Sequence, residues 1–77
     1  MRIEEIGRAL RAEPFRRFVL RTADGTAYEV PHPEFAAVHP RSERTVVVFG
    51  ESGETSVLDP MLITALDFRD GRSRAAG

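Results

Sequence analysis

The sequence contains no cysteine. Disulfide bonds and thiolate metal sites are therefore excluded, and so is catalysis by a cysteine nucleophile. Small secreted domains that cannot build a sufficient core are usually held together by disulfides, so a scaffold of that class is excluded as well.

The sequence also lacks lysine, so all 11 basic residues are arginine. The chain contains 12 acidic residues, which gives a net charge of −1. A strongly electrostatic nucleic-acid binder usually has a clear basic excess, which this chain does not have. A GC-rich genome would explain the arginine bias. Selection for bidentate recognition of phosphate or carboxylate would also explain it.

Long apolar runs are missing too. None approaches the roughly 20 residues of a membrane-spanning helix. The first residues lack the apolar stretch of a signal peptide. We therefore expect a cytoplasmic protein that makes no contact with a membrane.

With 77 residues, the chain is expected to form a single small domain. A core of this size rarely contributes more than about 3–5 kcal/mol of stability, and oligomerisation is a common additional source. We expect the domain to cover residues 1–68. Residues 69–77 carry no apolar side chain larger than alanine and are expected to form a disordered tail.

The apolar residues alternate with two different periods. Ile3, Ile6 and Leu10 recur at helical spacing and predict a helix from Met1 to Glu13, which Pro14 ends. Beyond Pro14 the period changes to two, which is typical of half-buried strands. Five strands are predicted, near residues 18–22, 28–30, 45–49, 55–58 and 63–68, and Asp24-Gly25 supplies the first hairpin turn.

Five short strands in a small domain must curl, because a flat sheet would leave open edges and a bare face. We therefore expect a mainly β fold, a small five-stranded antiparallel barrel of SH3-like or Sm-like type with a short N-terminal helix. The alternative is an α+β arrangement, in which the helix packs on one face of an antiparallel meander.

The segment VPHPEFAAVHP, residues 30–40, contains both histidines and three of the five prolines. Pro31 and Pro33 remove two backbone donors, so the second strand should be interrupted there. The sequence Pro33-Glu34-Phe35 favours a single helical turn, since proline is tolerated at a first helical position. Phe35 and Val38 would then point inward. We interpret the segment as a device that bends the backbone.

His32, Glu34 and His39 are also the local candidates for metal ligands or general bases. Their spacing matches no standard ligand set. The serines that could act as nucleophiles carry no recognisable motif. We therefore predict no catalytic residue, no metal site and no cofactor, and we expect the histidines to be solvated or to cap a turn.

Arg16, Arg17 and Arg21 form a basic group around the first strand. They would lie on a solvated outer face or would contact phosphate or an acidic partner. Tyr28 or Phe15 is the candidate exposed stacking platform, and His32 is a candidate partner contact.

The motifs PFRRF, ADG and VPHPEF together resemble a group of short uncharacterised bacterial proteins. These proteins share a short N-terminal helix, a Pro-Phe-Arg-x-Phe strand start, an Asp-Gly hairpin and a His-Pro-Glu-Phe element. The resemblance spans about Ile3 to Phe68. It implies the same order of elements, and no activity is known for the group.

The strand order is also similar to that of bacterial Sm-like proteins, by fold analogy alone. Those proteins carry a Tyr-Lys-His run before the last strand, which helps to bind RNA. This chain has LDPMLIT, Leu58 to Thr64, at that place. Pro31 and Pro33 replace the glycine that bends their second strand. No Sm-type binding residue therefore carries over.

These observations predict a non-enzymatic interaction module that forms homo-oligomers and binds an unknown protein partner. The alternative is an Sm-like protein that binds single-stranded RNA weakly through the face of Arg16, Arg17 and Arg21. An enzyme with a pocket that converges on His32 and Glu34 is the third candidate.

Overall fold

The computed structural model describes residues 1–39, 41–42 and 44–69. These residues form one α-helix, six strands and two single 3-10 turns. The helix is α1 (Ile3–Arg11), and the strands are β1 (Phe18–Thr22), β2 (Ala27–Val30), β3 (Ala36–Val38), β4 (Val46–Phe49), β5 (Thr55–Leu58) and β6 (Ile63–Phe68). The 3-10 turns are Pro33–Phe35, before β3, and Pro60–Leu62, before β6.

The strands form two antiparallel sheets. The first sheet has the order β2-β1-β6 and the second has the order β3-β4-β5. In the first sheet, Phe18 lies opposite Val30 on one side and opposite Phe68 on the other. In the second sheet, Val46 lies between Val38 and Leu58.

The β1–β2 turn is built from side-chain hydrogen bonds and a glycine. The Asp24 carboxylate accepts hydrogen bonds from the Thr22 hydroxyl and from the Thr26 amide. Gly25 has a φ of 90°, a conformation that favours glycine. The predicted Asp-Gly hairpin is therefore present.

A single core joins the helix to both sheets. The apolar stripe of α1 faces this core, where Ile6 and Ala9 are buried, and α1 packs against β3. At the start of the chain, the amino group of Met1 donates to the carbonyls of Pro60 and Ile63, at 2.8 and 3.1 Å. The buried core residues are Ile6, Ala9, Phe18, Leu20, Val30, Ala36, Val46, Val48 and Ile63.

The predicted five-stranded barrel is wrong. Among the described residues there are six strands in two three-stranded sheets, which do not close into a barrel. The missed strand is β3, which pairs with β4 from Ala36↔Val48 to Val38↔Val46. Alanine has a low strand propensity, so the pattern Ala-Ala-Val gives little signal. Ala36 is buried all the same, and its small side chain lets α1 lie close to the strand.

The prediction that Pro31 and Pro33 interrupt the second strand is confirmed. β2 ends at Val30, the prolines follow, and residues 33–35 form the predicted single turn. Phe35 and Val38 are half-buried and pack against the core. The predicted tail lies outside the described residues apart from Arg69, whose amide donates to the Arg17 carbonyl at 2.8 Å.

A membrane span would need a longer and more apolar helix than any found in the described residues.

Candidate functional site

Three of the five predicted contact residues lie together, and two lie elsewhere. Arg16, Arg17 and His32 line a groove of about 740 Å³. Arg21 is paired within the first sheet, and Tyr28 lines a different groove.

We call the groove lined by Arg16, Arg17 and His32 the basic groove. It lies beside the start of β1, the end of β2 and the end of β6. None of the described residues that line it is acidic. The lining consists of Pro14, Phe15, Arg16, Arg17, Pro31, His32, Pro33 and Arg69.

Arg17 and Arg69 are held opposite each other at one end of the basic groove. The Arg69 amide donates to the Arg17 carbonyl, which continues the β1–β6 ladder by one residue. The Arg17 Nε donates to the Arg69 carbonyl at 3.1 Å. Like charges directly opposite on neighbouring strands destabilise a sheet. An anionic group in the groove would offset that repulsion.

Arg16 has a different neighbour. Its guanidinium carbon lies 4.6 Å from the centroid of the Phe68 ring, which is cation–π geometry. The Phe68 ring in turn packs 5.6 Å from that of Phe18, centroid to centroid. Arg16 therefore covers the aromatic end of the core as well as lining the groove.

Arg21 does not join the other two arginines. Its Nε donates to Asp67 Oδ2 at 2.5 Å, and both side chains are half-exposed. The predicted common face of Arg16, Arg17 and Arg21 is thus divided, because Arg21 already has a carboxylate partner across the β1–β6 pair.

This pair gives an expected dependence of stability on pH. The hydrogen bond from Arg21, together with its charge and that of Arg69, lowers the pKa of Asp67 below its ordinary 3.8, although partial desolvation opposes the effect. A lowered pKa stabilises the fold above the unfolded-state value, and this contribution is lost as the pH falls through the folded-state value. In thermal melts from about pH 6 to pH 2, Asp67→Asn should therefore lose less stability than the parent chain.

Asp24→Asn is the matched comparison, because hydrogen bonds from Thr22 and Thr26 also lower the pKa of Asp24. Each single variant should lose less stability than the parent chain between about pH 6 and pH 2, and the double variant should lose the least. Equal slopes for the parent and Asp67→Asn would contradict this assignment.

A second groove carries the opposite charge. It has a volume of about 440 Å³ and lies between the start of β2 and the turn that joins β4 to β5. Three of its lining residues are acidic, Glu29, Glu51 and Glu54, and none of the described lining residues is basic. Tyr28 and Phe49 supply its aromatic part.

We call the β4–β5 turn, Gly50 to Glu54, the acidic tip. The Gly50 amide donates to the Glu54 carbonyl at 2.7 Å, and the Gly53 amide donates to the Gly50 carbonyl at 3.0 Å. Gly53 has a φ of 94°. The Glu54 side chain lies over Gly50, where a Cβ would overlap it. The tip is thus a defined turn that presents both glutamates to solvent.

Large apolar side chains are exposed on β5 and on the 3-10 turn that follows it. Val57 is 68% exposed, Met61 79% and Leu62 56%. Phe49, which precedes the acidic tip, is 40% exposed. The sequence pattern alone does not mark these residues as a surface.

The histidines have separate surroundings. His39 Nδ1 accepts a hydrogen bond from the Arg41 amide at 3.0 Å, so this ring caps a turn. The exposed His32 ring lies 6.0 Å from that of Phe35, centroid to centroid. In the part of the chain that the structure describes, no three His, Asp or Glu side chains are grouped to hold a metal ion.

No family model matches the chain, and no significant similarity to a curated protein or to a solved structure was found.

Proposed function

We propose that this protein is a small non-enzymatic interaction module that self-associates. The observation that carries the proposal is the exposed apolar surface of β5 and its following turn, centred on Val57, Met61 and Leu62. Contiguous exposed apolar side chains are typical of association surfaces, and these three lie within six residues of one another along the chain.

The position of β5 supports this function. It is the edge strand of the second sheet, so one side of its backbone has no strand partner among the described residues. Natural edge strands are commonly protected by lysine, proline or a bulge. Within Thr55–Leu58 there is no charged residue and no proline, and its pairing with β4 is regular.

The surroundings of the candidate bases favour binding over catalysis. His39 uses Nδ1 to accept from a backbone amide, and the Ser42 hydroxyl donates to the Thr45 hydroxyl at 3.3 Å. His32 packs beside Phe35, and its groove is lined by prolines and arginines with no serine or threonine among them. A nucleophile–base pair needs hydrogen-bond reach, and within residues 1–39, 41–42 and 44–69 neither histidine has such a contact with a hydroxyl.

We expect light scattering over a micromolar concentration series to give a mass above the 8.6 kDa of one chain. Val57→Lys should weaken association at least tenfold, because it places a charge on an apolar edge. Thr64→Lys is the matched control, since Thr64 is also β-branched and exposed, on β6 of the other sheet. A mass of a single chain at every concentration would show the proposal to be wrong.

Single-stranded RNA is the second candidate ligand, and the basic groove is the feature that favours it. The pairing of Arg21 with Asp67 leaves fewer arginines for phosphate than the sequence suggested. With a net charge of −1, we expect RNA binding no tighter than about 10 μM.

A further inference from the structure

We propose that the acidic tip of one copy binds in the basic groove of the next, so that copies join head to tail. This proposal rests on the self-association proposed above and specifies the two surfaces that meet. The partner is a second copy of this chain.

The two surfaces have opposite charge. Glu51 and Glu54 are both exposed on the tip, with the Glu54 side chain over Gly50, and Glu29 lines the same groove. The basic groove presents Arg17 and Arg69 across one ladder position, and His32 is another of its lining residues. Arginine binds carboxylate bidentately, and such charge-assisted pairs are stronger than neutral hydrogen bonds. Two tip carboxylates would therefore add to the attraction that Arg69 already has from Asp67.

The tip cannot fill the groove of its own chain. The tip lies beside the start of β2, at Ala27, whereas the groove begins beyond its end, at Pro31. Four strand residues at about 3.3 Å each separate these points by roughly 13 Å. The lining residues of the two grooves do not overlap. The charges are thus placed to be satisfied between copies.

The form of the two surfaces also allows the contact. The basic groove is a wide, open depression of about 740 Å³. The acidic tip is a narrow turn whose residues 51–54 are all exposed and whose backbone is fixed by two hydrogen bonds. A turn held in this way loses little conformational freedom when it binds, and that favours affinity.

Exposed ion pairs alone are worth only about 0–1 kcal/mol each. A stable interface buries about 800 Å² per partner and needs apolar contacts. Phe49 adjoins the tip and is partly exposed, and Val57 lies on the same hairpin. Phe15 and three prolines form the apolar walls of the groove. Charge would orient the contact and these side chains would stabilise it.

Repeated head to tail, such a contact is heterologous, and it forms a ring if the rotation between copies closes and an open chain otherwise. A two-fold dimer would instead contain the contact twice, with each tip in the groove of the other copy.

Two charge-reversed variants test the proposal. The tip variant is Glu51→Arg/Glu54→Arg, and the groove variant is Arg17→Glu/Arg69→Glu. Each should weaken self-association at least tenfold in sedimentation velocity. Each variant retains one intact surface, and the reversed tip is complementary in charge to the reversed groove. The two variants mixed together should therefore recover association, with species of at least twice the 8.6 kDa chain mass.

The control matched to the groove variant is Arg2→Glu/Arg11→Glu. It makes the same charge change on exposed arginines that line neither the basic groove nor the groove beside the acidic tip. Circular dichroism checks that every variant is folded. If a reversed variant is unfolded, the neutral pairs Glu51→Gln/Glu54→Gln and Arg17→Gln/Arg69→Gln replace it, and each should weaken association about threefold or more.

The outcomes separate this proposal from the previous one. Association of the parent chain that both reversed variants retain would overturn the tip-in-groove contact and leave self-association standing. Loss of association in both variants without recovery on mixing would also overturn it. A parent chain that is monomeric throughout would overturn both proposals. Nanomolar binding of a labelled oligouridine, lost in the groove variant alone, would assign the groove to RNA.

Discussion

Leu20→Ala should remove most of the stability of the fold. Leu20 is fully buried on β1, the central strand of the first sheet. Truncation of a buried leucine costs about 2–5 kcal/mol, because the transfer free energy is lost and a cavity remains. A core of this size rarely contributes more than about 3–5 kcal/mol, so the loss is a large part of the total. We expect urea denaturation to show a variant that is partly unfolded before denaturant is added.

Leu62→Ala is the control for this substitution. It removes the same atoms from a side chain that is 56% exposed. Its free energy of unfolding should stay within about 0.5 kcal/mol of the parent value. Both variants are best compared at concentrations below association, because Leu62 belongs to the exposed apolar surface. Similar losses at the two positions would contradict the assigned core.

Ile6→Asp should detach the helix from the sheets. Ile6 is fully buried, and α1 packs on β3 with the Ile6 side chain in the shared core. A carboxylate in that position would be buried without a partner, and this costs several kcal/mol unless the group is protonated or the helix moves away. We expect loss of helical circular dichroism, together with binding of a hydrophobic dye to the uncovered core.

Arg8→Asp provides the comparison for Ile6→Asp. Arg8 is exposed on the same helix, so the variant measures the effect of aspartate on helix propensity and on the helix dipole alone. The free energy of unfolding of Arg8→Asp should fall by about 1 kcal/mol or less. A loss as large as that of Ile6→Asp would indicate that the helix is held by its own propensity instead of by packing.

The elements with strong local signals were predictable from the sequence. The period of Ile3, Ile6 and Leu10 indicated α1, and Asp24-Gly25 indicated the first hairpin. The strand β3 was not predictable, because its residues are mostly alanine and its pairing with β4 is a tertiary contact. With β3 unrecognised, five strands favoured a barrel, whereas the sixth strand allows two sheets of three.

The candidate site was predictable only in part. Arg16 and Arg17 are neighbours in sequence and fell within one group, and His32 was singled out by its prolines. Arg21 was assigned to the same group, because the sequence does not show that Asp67 lies across the ladder. The acidic tip was not predicted as a site, although the two glutamates of GESGE, residues 50–54, were a visible signal.

The pairing of β1 with β6 makes the first sheet late to form. Phe18 lies opposite Phe68, so the chain must close a loop of about 50 residues before this contact is made. The second sheet uses only residues 36–58 and can form earlier. Non-local strand pairing slows folding to milliseconds or longer. During synthesis, β1 and β2 therefore remain a bare hairpin until the last strand leaves the ribosome. In that interval the nascent chain would need protection from aggregation.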